Sequence, residues 1–191
     1  MEASEFALVE RAQAGDHEAY GALVERHSRA VFRLAYRITG QEQDAEDVVQ
    51  DAFLRAYRQI GRFEARSSFG TWLYRIAVNC AHDLLRARPR LATRSRLEHD
   101  DYEEQDVADV SAGSNPERVL ASREIDRRVR AGLDTLSDLE RAAFILRHFE
   151  GRSIAEISQS LGLGPSAAKH SIFRAVQKMR RNVEPLMGTY R

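Results

Sequence analysis

One cysteine, Cys80, is all that 191 residues contain, which excludes an intramolecular disulfide and any metal site built from clustered thiolates. The six histidines show no HxxxH or HExxH spacing, so no metal is expected. No apolar run approaches the ~20 residues that a membrane-spanning helix needs. The opening MEASEFALVERAQ has neither a basic start nor an apolar core of the secretory kind, and cytoplasmic residence is the expectation. No stretch alternates apolar and polar residues as a strand does. There is no phosphate-binding loop, no nucleophile paired with a base, and no carboxylate cluster placed for catalysis. The chain therefore reads as a binding protein that uses no cofactor and no small-molecule substrate. An excess of one charge is also missing, with 29 basic and 29 acidic residues.

Neutrality on average conceals segregation. Acid collects at Glu98, Asp100, Asp101, Glu103, Glu104, Asp106 and Asp109, just after the arginines Arg86, Arg88, Arg90, Arg94 and Arg96. Basic residues collect again beyond residue 168. Separated charge of this kind steers part of a chain toward phosphate. With 43% hydrophobic and 30% charged residues, a folded, water-exposed protein is expected.

Helical periodicity runs through most of the chain. A first helix is predicted near 4–14, and Asp16 caps a second whose apolar residues recur at three and four: Tyr20, Leu23, Val24, Val31, Leu34, Ala35 and Ile38. Gly40 closes it, a third helix covers about 42–59, and residues 61–67 form a loop. Ser67 or Ser68 caps a fourth helix that runs to Arg88, where Pro89 stops it. Residues 90–114 lose the period and read as a flexible acidic linker. Asn115-Pro116 then opens a second set of helices near 116–134, 137–149, 153–161 and 165–183. Capping boxes stand at Ser137–Glu140 and Ser153–Glu156. The expected fold is all-α: two small helical domains, 1–89 and 115–191, joined by the flexible acidic linker, the C-terminal one containing a helix-turn-helix.

That motif spans about 153–181. Ile154, Ile157 and Leu161 face inward, Gly162 ends the first helix, Leu163 plugs the core, and Pro165 starts the second. Ala168, Ile172, Ala175, Met179 and Val183 form the buried stripe of that second helix. Its other face carries Lys169, His170, Phe173, Arg174, Gln177, Lys178 and Arg181, cations and edge-reading groups suited to a DNA major groove.

In the first lobe, DAEDVVQDAFLRAYR turns Ala45, Val48, Val49, Ala52, Phe53 and Ala56 to a core, leaving Asp44, Asp47, Gln50 and Asp51 as an acidic face. An acidic face repels DNA but suits a basic or amphipathic helix, although an ordinary solvated helix looks the same. RFEARSSFGTWLYRIAVNCAHDLLRARPR follows, with Arg62, Phe63 and Arg66 in the loop and a polar stripe Arg75, Asn79, His82 and Arg86 on the helix. Arginine, asparagine and an aromatic near a loop suit single-stranded DNA, whose bases are stacked and read by their edges. Phe69 and Trp72 are assigned to the core.

These motifs in this order, with SNPE before the second lobe, resemble the extracytoplasmic-function sigma factors of bacterial RNA polymerase, especially the envelope-stress branch. The resemblance covers nearly the whole chain. It implies that the 42–59 helix, through Asp44, Asp47, Gln50, Asp51 and Phe53, docks on the clamp of the largest subunit of core RNA polymerase. It also implies that Arg62, Phe63, Arg66, Arg75, Asn79, His82 and Arg86 recognise and melt the promoter's minus-ten element. Lys169, His170, Phe173, Arg174, Gln177, Lys178 and Arg181 would then read the minus-thirty-five element. An anti-sigma factor is an implied partner. Two stretches depart from the family pattern. Ala167 to Ser171 stands where a threonine-valine pair, a cation, serine and arginine are common. Glu64-Ala65-Arg66 stands where a glycine and an aspartate are frequent. A stand-alone helix-turn-helix repressor or activator, with the first lobe as sensor or dimerisation domain, is the competing reading.

Overall fold

The computed structural model describes residues 4–87 and 127–187, with side chains described through residue 182. The predicted acidic linker, the Asn115-Pro116 cap and the start of the 116–134 helix lie outside the described residues. Every regular element among the described residues is helical.

Three local signals set the first helices. Ser4 caps α1 (Glu5–Gln13), accepting the Ala7 N–H at 3.3 Å. Asp16 caps α2 (His17–Thr39) through the Ala19 N–H at 3.0 Å, and Gly40 ends it as expected. α3 is Glu42–Gln59 and passes into a short 3₁₀ turn, Ile60–Arg62, so the expected loop begins later than residue 61. Ser68, rather than Ser67, caps α4 (Phe69–Ala87), accepting the Thr71 N–H at 3.2 Å.

The core of this lobe lies where α2, α3 and α4 meet. Leu23, Val31, Leu34 and Ile38 of α2 meet Ala45, Val48, Ala52 and Ala56 of α3 and Phe69, Leu73, Ala77 and Ala81 of α4. The alanines on α3 allow close helix approach, while the branched residues opposite fill the space. Tyr20 spans the gap and donates its hydroxyl to the Phe53 carbonyl at 2.6 Å.

The second lobe comprises α5 (residues 127–134), α6 (Asp138–His148), α7 (Ile154–Leu161) and α8 (Pro165–Met187). Both predicted capping boxes are formed. Ala142, Ile145, Leu146, Ile157, Ala168, Ile172, Ala175 and Met179 fill the core. At Gly132 a Cβ would meet the Met179 sulfur at 2.8 Å, so glycine there lets α5 lie close against α8.

Polar contacts join the lobes. Arg141 of α6 is 8% exposed and donates to the Ile38 carbonyl at 2.9 Å, to the Leu133 carbonyl at 3.1 Å, and to Asp134 at 3.3 Å. Ile38 lies in the last turn of α2, where helical carbonyls lack partners within the helix. Tyr74 of α4 donates to Glu150 at 3.0 Å, and Ser160 of α7 donates to the Thr71 carbonyl at 3.2 Å. The Arg152 guanidinium lies 4.7 Å from the Tyr74 ring centre, and Arg37 lies 4.5 Å from that of Phe149.

Removing the Arg141 guanidinium leaves two buried carbonyls short of a donor. Arg141→Ala is expected to cost about 3 kcal/mol, read as a lowered urea midpoint. An unchanged midpoint would mean that the bond across the lobes is not populated in solution. A second expectation comes from Ala65, whose φ of 52° lies in the left-handed region. An L side chain is strained there by roughly 1–2 kcal/mol, and glycine is not. Ala65→Gly should therefore leave the midpoint unchanged or raise it, where an alanine-to-glycine change inside a helix lowers it.

Candidate nucleic-acid interface

Three separate surfaces carry the residues singled out from the sequence. On α3, Asp47 and Gln50 are exposed, and Asp51 is half-exposed. Asp51 pairs with Arg55 at 2.8 Å, one turn on, and Arg55 reaches Asp83 of α4 at 3.0 Å. Asp44 departs from expectation. It is 6% exposed and does not belong to the outer face. It sits in the first turn of its helix, where a carboxylate meets the positive end of the backbone dipoles.

Phe53 is buried as core, yet its edge helps wall a shallow, largely apolar groove of about 410 Å³ with Tyr20, Gln50, Leu54 and Tyr57. Leu54 is 55% exposed and Tyr57 is 41% exposed. Neither was picked out from the sequence. Gln50, Leu54 and Tyr57 nevertheless follow one another at four and three, which places them on one face. That spacing was the available signal.

The second surface surrounds the loop before α4. Gln13 of α1 donates to the carbonyls of Ile60 and Phe63 at 2.9 and 2.8 Å, fixing where the loop starts. Phe63 packs on Trp72 at 5.0 Å and edge-on to Phe69 at 6.0 Å. Phe69 is buried as expected, whereas Trp72 is only partly buried. Phe63 and Trp72 line an open cleft of about 350 Å³, with Arg62, Arg66 and Arg75 around them. Arg66 pairs with Glu64 at 2.6 Å while remaining strongly exposed. Gln159 of α7, in the other lobe, lines the same cleft.

Along α4, Arg75, Asn79 and Arg86 are exposed. His82 is half-buried, and burial is the chief cause that holds its pKa below the ordinary histidine value; Asp138 at the start of α6 pulls the other way. The stripe is thus open at three of its positions and tucked toward the second lobe at the fourth. Cys80 is buried in the lobe, and burial pushes its thiol up to about 12, so it is a packing residue without thiolate chemistry at neutral pH.

The third surface is the outward face of α8. Gly162 adopts φ 65° to end α7, and Leu163 folds back so that its N–H reaches the Ser158 carbonyl at 2.9 Å. This tight turn delivers Pro165 as the first residue of α8. Lys169, His170, Phe173, Arg174 and Arg181 are exposed, and Gln177 and Lys178 are half-exposed. Phe173 is 61% exposed, unusual for an aromatic side chain. Ser171, one of the departures from the family pattern, is 1% exposed and belongs to the core side. His170 remains as the unusual outward residue. Arg174 and Lys178 both lie against the carboxylate of Glu140 on α6.

Residues 23–91 match the model of Sigma-70 region 2, and residues 126–179 match that of Sigma-70 region 4. The chain is 37% identical over 182 residues to the RNA polymerase sigma-H factor of Pseudomonas aeruginosa, covering 94% of each. It is 36% identical over 182 residues to the ECF RNA polymerase sigma-E factor of Haemophilus influenzae, covering 95% of this chain and 96% of that one. Among solved structures, CnrH in complex with the cytosolic domain of CnrY matches with a TM-score of 0.68 at 28% identity, over 93% of this chain and 96% of that chain. A basic helix-turn-helix, an aromatic cleft beside a cationic loop and an acidic helix thus stand on a chain that belongs to the extracytoplasmic-function sigma factors, which direct RNA polymerase to promoters.

Proposed function

We propose that each of the three surfaces performs one step of transcription initiation. The exposed part of α3, comprising Asp47, Gln50 and Asp51 with the flanking Leu54 and Tyr57, docks on the clamp of core RNA polymerase, and Phe53 shapes the groove from beneath. The cleft of Phe63 and Trp72 takes a base of the opened minus-ten element, with Arg62, Arg66, Arg75, Asn79 and Arg86 along the strand and His82 at its margin. The outward face of α8, Lys169 through Arg181, reads the minus-thirty-five element. The working units are residues 1–89 and 115–191, joined through 90–114. The protein acts with polymerase in the cytoplasm, as a non-enzymatic factor, and an anti-sigma factor opposes it.

The observation that carries this reading is the cleft. It offers stacking surfaces on partly buried aromatic rings, ringed by arginines, on the helix that follows a positively charged loop. Extruding a base costs a few kcal/mol, and each stacked base returns roughly 1–3 kcal/mol. One or two good contacts therefore hold a small bubble once polymerase has bound the duplex. Because Gln159 lines the cleft and Thr71 lies 3.4 Å from Glu156 of α7, parting the lobes widens the way in for a strand.

Run-off transcription with reconstituted holoenzyme tests the assignment, using promoters selected from a genomic library by that holoenzyme. Phe63→Ala is expected to slow open-complex formation about tenfold while leaving polymerase affinity unchanged. Asp51→Ala should weaken polymerase binding, and Arg174→Ala should weaken upstream recognition alone. Equal loss of all three activities in every variant would contradict the division of labour. No transcription with any core polymerase would favour a stand-alone regulator.

A further inference from the structure

The Glu140 carboxylate is 6% exposed and lies directly behind the DNA-facing side of α8. One oxygen lies 3.3 Å from Nε of Arg174, and the other accepts from Nζ of Lys178 at 2.6 Å. That second oxygen also accepts the Ser137 backbone N–H at 3.1 Å, within the capping box that starts α6. A buried acid beneath a phosphate-seeking helix opposes DNA binding by charge alone, and a cap alone would not need it, since glutamine serves a capping box as well. The geometry gives it another use. This electrostatic grip on the Nε edge of the guanidinium leaves its two terminal amines available as a flat fork, the shape that meets O6 and N7 of guanine.

We infer that Glu140 is a positioning residue for promoter recognition, holding the Arg174 guanidinium and the Lys178 ammonium in the orientation that reads the upstream element. The inference rests on the proposed role of α8 in reading DNA. Arg174 remains 62% exposed while so held, free to meet a base edge, and Lys178 lies one turn further along at 42%. Burial pulls the Glu140 pKa up, but Lys178 and the Ser137 hydrogen bonds outweigh it. The carboxyl stays below its ordinary 4.5 and is charged at neutral pH. Specificity here has its source one layer beneath the contact surface, in a residue that would touch no DNA.

Glu140→Gln separates this role from a structural one, because it keeps the cap and removes the charge. Wild-type and E140Q holoenzymes are each used to select DNA from a promoter library randomised over the upstream element, and the thermal midpoint of each free chain is recorded. The expected result is a preference for the selected upstream sequences reduced about tenfold, with binding to unselected sequences equal or stronger and a small change in midpoint. In a background carrying both Arg174→Ala and Lys178→Ala, Glu140→Gln should change the preference no further. Retention of the wild-type preference in E140Q overturns the inference alone. So does a parallel fall in binding to selected and unselected DNA, which marks a merely structural role. A wild-type holoenzyme without upstream preference overturns the DNA-reading role of α8 and the inference with it. Should E140Q fail to fold, solvent exchange of the Arg174 Nε–H in the wild-type chain decides. Exchange slower than at Arg181 supports the grip, and equal exchange overturns it.

Discussion

A guanidinium cannot leave water without acceptors, and the acceptors that Arg141 finds come from both lobes: the Ile38 carbonyl at the end of α2, and the Leu133 carbonyl and Asp134 in its own. Much of the rest of the arrangement depends on this bond. With α6 held to the end of α2, α7 lies on α4, Ser160 reaches the Thr71 carbonyl, and Tyr74 meets Glu150 and Arg152. The seam carries hydrogen bonds, an ion pair and cation–aromatic contacts alongside apolar packing that makes the cores of the two lobes continuous. Its polar contacts are directional and exchange for water or another polar surface, since each hydrogen bond has a modest net value once solvent competes.

The position of the seam bears on function. The cleft beside Phe63 and Trp72 is built by the first lobe, but one of its walls is Gln159 of the second. The DNA-facing side of α8 is open in the same arrangement, and so is the groove of Leu54 and Tyr57 on α3. The joined form therefore leaves the proposed polymerase-docking and upstream-reading surfaces exposed while narrowing access to the proposed strand-opening cleft. On the proposed assignment, docking through α3 leaves the seam untouched, whereas a melted strand enters more freely once it opens. An order of events follows from where the seam runs.

Much of this was legible in the chain itself, and where it was not, the reason is physical. Caps and periodicity are local, so Asp16, Gly40, Ser137, Ser153 and Gly162 stand where composition and spacing placed them. The helix-turn-helix depends on such local signals, and its outward face emerged nearly residue for residue. Asp44 did not, because a helical wheel assigns a carboxylate to solvent and takes no account of a first turn packed into the lobe. Leu54 and Tyr57 were passed over since exposed apolar residues look like core residues in a sequence. His82 sits on the polar stripe by spacing, and only the position of α6 tucks it in. Glu140 read as a capping residue alone. Its grip on Arg174 and Lys178 joins positions more than thirty residues apart, which no local pattern encodes.

The central claim is that the proposed DNA-reading surfaces act together only in the holoenzyme. It is tested most directly by measuring the affinity of one promoter fragment and its scrambled counterpart, by fluorescence anisotropy, for the free chain and for the chain with core polymerase. The account predicts weak, salt-sensitive binding with little preference for the promoter by the free chain, and strong preference in the holoenzyme. Tight, sequence-specific binding by the free chain, unchanged when polymerase is added, would contradict it.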